Sequence, residues 1–212
     1  MRLEILDSKR QKIFKKLSFT RKLKLYLAGG TALAFYFNHR TSVDFDFYTP
    51  EAFKHGELVK IFKKNLPNWP FKIIRDNDDT FEIEFKNSIR LGCFYYPYSL
   101  LKKQVNFEGV NVASLEDLLA MKMIAIVQRG QQRDFIDIYY LIQKYGLERI
   151  FEITQNKYSE FDFYNGCRGL LYFADAEEKR DIGRIKIFDK NLTWSKIKKY
   201  IIIQVRKFQK KS

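Results

Sequence analysis

Cysteine is scarce: Cys93 and Cys167 are the only two in 212 residues, too few for a disulfide framework or a four-ligand zinc site. That scarcity points to a reducing compartment. No run approaches the ~18 consecutive apolar residues of a membrane-spanning helix, and the start MRLEILDSKRQKIF scatters charges where a secretory leader would be apolar. The expectation is a cytoplasmic protein with no membrane partner. Acidic residues are also in deficit, 25 against 39 Lys and Arg, for a formal charge of +14. Such a surface attracts polyanions before any specific contact forms, which makes nucleic acid the first partner to consider. Neither repeats nor low-complexity linkers interrupt the chain, and at roughly 100 to 200 residues per domain its length suits one domain. What is plentiful is aromatic: 20 Phe, 13 Tyr and 2 Trp within a hydrophobic fraction of 46%, enough to exclude general disorder.

From Leu3 to Leu17 apolar residues recur at helical spacing, predicting a leading amphipathic helix. KLYLAGG reads as a strand stopped at Gly29 and Gly30, with Thr31 opening the helical run ALAFYFNHR. In SVDFDFYT, Val43, Phe45 and Phe47 alternate with Asp44, Asp46 and Tyr48, so the segment reads as a half-buried strand whose two carboxylates share a face. Thr49 and Pro50 suggest the N-cap and first residue of a helix that ends before the Pro67 to Pro70 loop. Phe71 to Arg75, Thr80 to Phe85 and Ile89 to Tyr95 then predict an antiparallel meander beside the Asp-bearing strand. From Ser114 the pattern is helical. Ser114 and Asp117 stand in capping-box spacing ahead of LLAMKMIAIV, Gly130 closes that helix, and QQRDFIDIYYLIQKYG forms the next. A soft boundary near Ala113 divides a sheet-containing part, 1–113, from a helical part, 114–212, within what can be one continuous domain.

Gly29-Gly30, thirteen intervening residues and then Asp44-Phe45-Asp46 form the most informative pattern. Glycines at a strand-to-helix turn let backbone N–H groups approach a phosphate, and the helix N-terminus favours negative charge there. Two carboxylates two residues apart on a strand suit a shared Mg²⁺ or Mn²⁺ that also binds a nucleoside triphosphate. Either half alone is commonplace, a tight turn or a solvated strand face. Joined by a single helix, they describe a phosphoryl-transfer site.

The run AGGTALAFYFNHRTSVDFDFYT resembles the signature of the AbiEii/AbiGii toxin family, a branch of the polymerase-beta-like nucleotidyltransferase superfamily, whose motif is a Gly-Gly or Gly-Ser turn followed by an Asp-x-Asp or Asp-x-Glu strand. SLEDLLAMKMIAIVQRGQQRDFIDIYYL is similar to the family's second block, and the two blocks together cover about a quarter of the chain. The resemblance implies an α+β nucleotidyltransferase fold, a small mixed sheet with flanking helices and a helical C-terminal half that completes the nucleotide cleft. It also implies the toxin of a bacterial toxin–antitoxin or abortive-infection system, with a cognate antitoxin as partner and RNA such as a tRNA 3′ end as acceptor.

On a helix from Leu115, residues Leu118, Lys122, Ala125 and Arg129 fall on one face, which lines two cations along one stripe. In this reading Asp44 and Asp46 hold the metal, Gly29, Gly30 and Thr31 cradle the triphosphate of the NTP, and Lys122 meets it as a point charge. Arg129, Arg133, Asp134 and Asp137 are further candidates for acceptor or phosphate contacts. The bland alternatives are a solvated Lys122 and an Arg133–Asp137 clamp between helices. Many superfamily members place a third carboxylate on a later strand, where it completes the metal site and serves as general base; IRLGCFYY has none, and Glu82 and Glu84 on the neighbouring strand share a face that could substitute, the more ordinary reading being the solvent face of an edge strand. That gap supports a rival reading, a non-catalytic nucleotide- or RNA-binding protein on the same fold. His39 and His55 lack companions for a zinc site and read as surface or turn residues; Arg40 reads as a basic helix end. Lys196, Lys198, Lys199, Arg206, Lys207, Lys210 and Lys211 make the final helix the best electrostatic footprint for RNA, with an ordinary solvated face as the equal alternative.

Overall fold

Tyr26–Ala28 (β1) is buried at every position, the pattern of a central strand covered on both faces. The computed structural model describes residues 1–54, 56–86, 88–178 and 184–211. Around β1 it arranges Phe45–Thr49 (β2), Phe71–Asp76 (β3), Thr80–Phe85 (β4), Ile89–Tyr95 (β5), Val105–Phe107 (β6) and Val110–Val112 (β7). Among the described residues these form one seven-stranded sheet in the order β3-β4-β5-β2-β1-β7-β6. The sheet is mixed, as expected: β1 runs antiparallel to β2 and parallel to β7, β2 runs parallel to β5, and β3, β4 and β5 form the antiparallel meander.

The helices are Ser8–Phe14 (α1), Gly29–Phe37 (α2), Glu57–Asn65 (α3), Leu115–Gln128 (α4), Gln132–Tyr145 (α5), Leu147–Lys157 (α6), Phe163–Leu171 (α7), Ala174–Glu178 (α8) and Trp194–Gln209 (α9). In α4 the Ser114 side chain accepts from the Asp117 amide, so the predicted cap is present. Phe14, Phe35, Phe45 and Phe47 from the first part and Met123, Phe135, Phe151 and Ile201 from the second belong to one buried apolar cluster. Most aromatic residues therefore serve packing.

Two expectations about the elements are corrected, and one element is new. The leading helix is broken into a 3-10 turn at Leu3–Ile5, then α1, then a 3-10 stretch at Leu17–Leu23, because the Asp7 side chain accepts from the Arg10 amide and starts α1 there. Thr49 caps no helix: its Oγ1 accepts from the Glu51 amide in a local turn at 3.1 Å, and α3 begins only after Gly56, at φ 74°. The hairpin of β6 and β7 has no counterpart in the sequence reading; Glu108 and Gly109, both at positive φ, turn it.

Candidate active site

At the end of β1 the chain turns through Gly29, at φ +64°, into α2. A residue with a Cβ is strained at that angle. It would also collide: a Cβ on Gly29 would lie 2.9 Å from Asp46 Oδ2. The bare glycine lets the carboxylate pack against the turn, and the pairing of Ala28 with Asp46 across β1 and β2 fixes that closeness. Asp44, one residue before β2, lies on the same face as Asp46 and Tyr48, while Phe45, Phe47 and Thr49 are buried on the other. The Thr31 hydroxyl is committed within the protein, to the Asp44 carbonyl and to the Ser42 hydroxyl at 2.6 Å. It ties the start of α2 to the backbone that carries Asp44.

Facing this turn is the predicted stripe of α4. Leu118, Lys122, Ala125 and Arg129 line one side of a cleft of about 320 Å³, and Gly29, Gly30, Asp44 and Asp46 line the other. Arg133 and Asp134 also reach the lining, and Tyr48 and Tyr96 add aromatic faces. The sequence spacing thus brings the glycine turn, the carboxylates and the basic stripe to one concavity.

Beneath the cleft lies a buried ion network that the sequence reading did not contain. Lys122 is neither solvated nor free: its Nζ donates to Asp134 Oδ1 at 2.7 Å and stands 2.9 Å from Asp137 Oδ2. Asp137 pairs with Arg40 instead of Arg133; Arg40 Nε and Nη2 donate to its two oxygens at 2.7 and 2.8 Å. His39 Nε2 lies 2.7 Å from Asp137 Oδ1. Covered and saturated in this way, Asp137 supports the cleft from below and has no oxygen to offer an acceptor. Arg133 Nε donates to Gln131 Oε1 at 3.0 Å. The Arg40 guanidinium sits directly under the turn, where a Cβ on Gly30 would run into its Nη2. So the expected basic helix end is a buried cation that joins the turn to α5, and His39 is a core residue; His55 lies outside the described residues.

Electrostatics follow from this arrangement. Burial alone would raise the Asp137 pKa, but Arg40 and Lys122 overcome it and hold the carboxyl well below the usual range. Asp134 is likewise lowered, with Lys122 and Arg129 outweighing its burial. Burial lowers the His39 pKa despite the attraction of Asp137. Asp46 goes the other way: burial first, then the Asp44 charge, push it up to about 6.

That repulsion is the test of fit for a cation. Asp44 and Asp46 offer hard oxygen donors whose mutual charge a divalent ion would relieve, and Mg²⁺ characteristically takes one or two carboxylates and fills its shell with water and phosphate. The donor set fits. No further protein ligand adjoins it, since among the described residues no group of three His, Cys, Asp or Glu stands ready for a metal. The residue beside Asp46 on β5 is Gly92, with the Phe94 ring lying over it. Glu82 and Glu84 are spent on cross-strand pairs, Glu82 with Arg75 at 3.7 Å and Glu84 with Lys72 and Arg90 at 2.9 and 3.0 Å. Asp44 has its own partner, Arg184, whose guanidinium contacts both carboxylate oxygens.

Comparison with known proteins gives three findings. The family model described as nucleotidyl transferase AbiEii toxin, type IV toxin–antitoxin system, matches residues 18–99 and 96–207. An uncharacterized protein of Aquifex aeolicus is 37% identical over 161 residues, which span 73% of this chain and 76% of that one. Among solved structures, a putative nucleotidyltransferase from Helicobacter pylori aligns with a TM-score of 0.61 at 19% identity over 95% of this chain and 92% of that one. The nucleotidyltransferase toxin MenT4 from Mycobacterium tuberculosis aligns at 0.58 and 13% identity over 92% and 80%. At these identities the two structures speak for the fold. It is the α+β nucleotidyltransferase fold.

Proposed function

The chain belongs to the AbiEii nucleotidyl transferase toxin family, and from that premise we propose that it moves a nucleoside monophosphate from an NTP to the 3′ hydroxyl of an RNA, such as a tRNA end. The observation that carries the reading is the glycine turn packed against Asp46, with Asp44 beside it and the basic stripe of α4 across the cleft. A divalent ion, Mg²⁺ or Mn²⁺, held by Asp44 and Asp46 would supply charge stabilisation for the triphosphate. The amides at the start of α2 bind its oxygens, aided by the helix N-terminus. Arg129, whose side chain is largely exposed, and Arg133 bring positive charge to the facing side of the cleft, while Lys122 and Arg40, paired with Asp134 and Asp137, hold its wall in place. Tyr48 and Tyr96 offer faces on which a base can stack.

In the reaction the hydroxyl oxygen bonds to the α-phosphorus, the bond from that phosphorus to the bridging oxygen breaks, pyrophosphate leaves, and the hydroxyl proton passes to water. Gly92 is the neighbour of Asp46 on β5, and that strand carries no carboxylate to take the hydroxyl proton. The reading therefore assigns the rate to positioning and charge. The same gap favours a second reading, a protein that binds nucleotide or RNA without transfer. Incubation with each α-labelled NTP, Mg²⁺ and total RNA separates the two: label entering RNA supports the enzyme, and bound nucleotide with unlabelled RNA supports the binder. The family description names a toxin–antitoxin system, so a cognate antitoxin is the expected partner.

A further inference from the structure

Arg184 stands where a cation would. Its Nη2 donates to Asp44 Oδ1 at 2.9 Å and its Nη1 to Asp44 Oδ2 at 3.1 Å, and Nη2 also donates to the Ser88 carbonyl at 3.0 Å. The backbone just after it is pinned to the segment leading into the Asp strand. Lys186 N donates to Thr41 Oγ1 at 2.8 Å, Thr41 N to the Lys186 carbonyl at 2.9 Å, and Phe188 N to the His39 carbonyl at 3.0 Å. Ile185 lines the cleft itself. The Arg184 side chain nonetheless remains 38% exposed. The protein thus holds a guanidinium at the edge of the cleft on a fixed base, with its charged end engaged by a partly exposed pair.

Two positive groups cannot both sit face-on to one carboxylate, because their repulsion offsets what each gains from it. We propose that Arg184 and the divalent cation exchange at Asp44, and that the nucleoside triphosphate drives the exchange by giving the released guanidinium a phosphate to bind. The inference rests on the reading of Asp44 and Asp46 as cation ligands. Arginine suits both partners, since its planar fork matches phosphate as well as carboxylate. Partly exposed ion pairs contribute little stability, so leaving Asp44 costs little. Arg184 is then a further binding residue for the triphosphate, and cation and nucleotide strengthen each other's binding by the same factor. In the nucleotide-free protein it keeps Asp44 neutralised.

The test is Mn²⁺ binding by the full chain, read from the electron paramagnetic resonance signal of the free ion, with and without an NTP analogue carrying a methylene bridge between its α- and β-phosphates. The wild type should bind Mn²⁺ weakly alone and more tightly with the analogue. Arg184→Ala should bind Mn²⁺ alone about three- to tenfold more tightly, the range expected from releasing one such pair and its charge, and should lose most of the gain that the analogue brings. Arg184→Gln serves if the alanine variant does not fold. If either folded variant binds Mn²⁺ alone no better than wild type while Asp46→Asn has lost binding, the exchange is refuted and the cation reading stands. If wild type and Asp46→Asn bind Mn²⁺ equally even with the analogue, the cation reading fails and takes the exchange with it.

Discussion

Asp137 carries more of the site's architecture than any residue that touches the cleft. It receives Arg40 on both oxygens, with His39 and Lys122 close by, all of them buried. Replacing it by Asn leaves the buried Arg40 without its carboxylate partner and Lys122 with Asp134 alone, and breaking a buried pair in this way costs about 3 to 5 kcal/mol. Chemical denaturation at neutral pH should show that loss. Because the folded-state pKa of Asp137 is depressed, its contribution is fully present above its unfolded value, about 4 for an ordinary carboxylate, and is lost as pH falls through the folded value. The stability gap between wild type and Asp137→Asn should therefore shrink below about pH 4; a gap unchanged with pH would mean that the charge of Asp137 is not what stabilises. In the sequence, Asp44, Asp46 and the two glycines could be recognised by spacing, because a turn and a strand joined by one helix are local. Arg40 and His39 could not, since their partner lies 97 and 98 residues away. His39 and Arg40 sit in the polar run from Asn38 to Ser42 between α2 and β2, so nothing in the local sequence marks them as buried.

At the scale of the element, the strand–glycine–helix unit is held to one geometry from two sides. Asp46 packs on Gly29 and Arg40 lies under Gly30, so neither glycine has room for a methyl group. Gly29→Ala combines the left-handed backbone penalty, about 1 to 2 kcal/mol, with displacement of the Asp46 carboxylate. The variant should lose about that much stability by denaturation and, measured separately by calorimetry, should bind nucleotide more weakly while still folded. Wild-type affinity in a folded Gly29→Ala protein would remove the turn from the phosphate site. The elements with strong local signals were legible: α4 with its Ser114 cap, α5, the meander and β2. The failures have local causes that periodicity does not carry. Leu3 and Leu6 fit a helical stripe, yet the Asp7 cap ends that stripe before it starts. Val105–Phe107 and Val110–Val112 are strands of three residues, too short for alternation to register.

Across the whole molecule, charge is divided between a buried network that balances itself and a surface with a large positive excess. Lys199, Arg206 and Lys207 on α9 are exposed, whereas Lys198 lies 2.5 Å from Glu177 and is partly neutralised. If α9 holds an RNA backbone, tRNA affinity should fall steeply with salt, and reversing Lys199, Arg206 and Lys207 to Glu should flatten the log–log slope by about 0.7 to 0.9 for each phosphate that is no longer neutralised. An unchanged slope would move the footprint to another face. No helix among the described residues is long and apolar enough to cross a membrane. The core runs without interruption from the sheet into α4, α5 and α9, so the cleft is built between two parts that share one interior.

The central claim is that Asp44 and Asp46, set against the glycine turn, carry nucleotide transfer. The most direct measurement incubates wild type, Asp44→Asn and Asp46→Asn with α-labelled NTPs, Mg²⁺ and total tRNA, each protein first matched for folding by circular dichroism. Wild type should place label on the RNA, and both variants should fall to background; Asp46→Asn should melt at or above wild type, since removing one of two crowded carboxylates relieves repulsion, and Asp44→Asn close to wild type, since that relief offsets the loss of its partly exposed pair with Arg184. A folded variant that labels RNA at the wild-type rate would contradict the account.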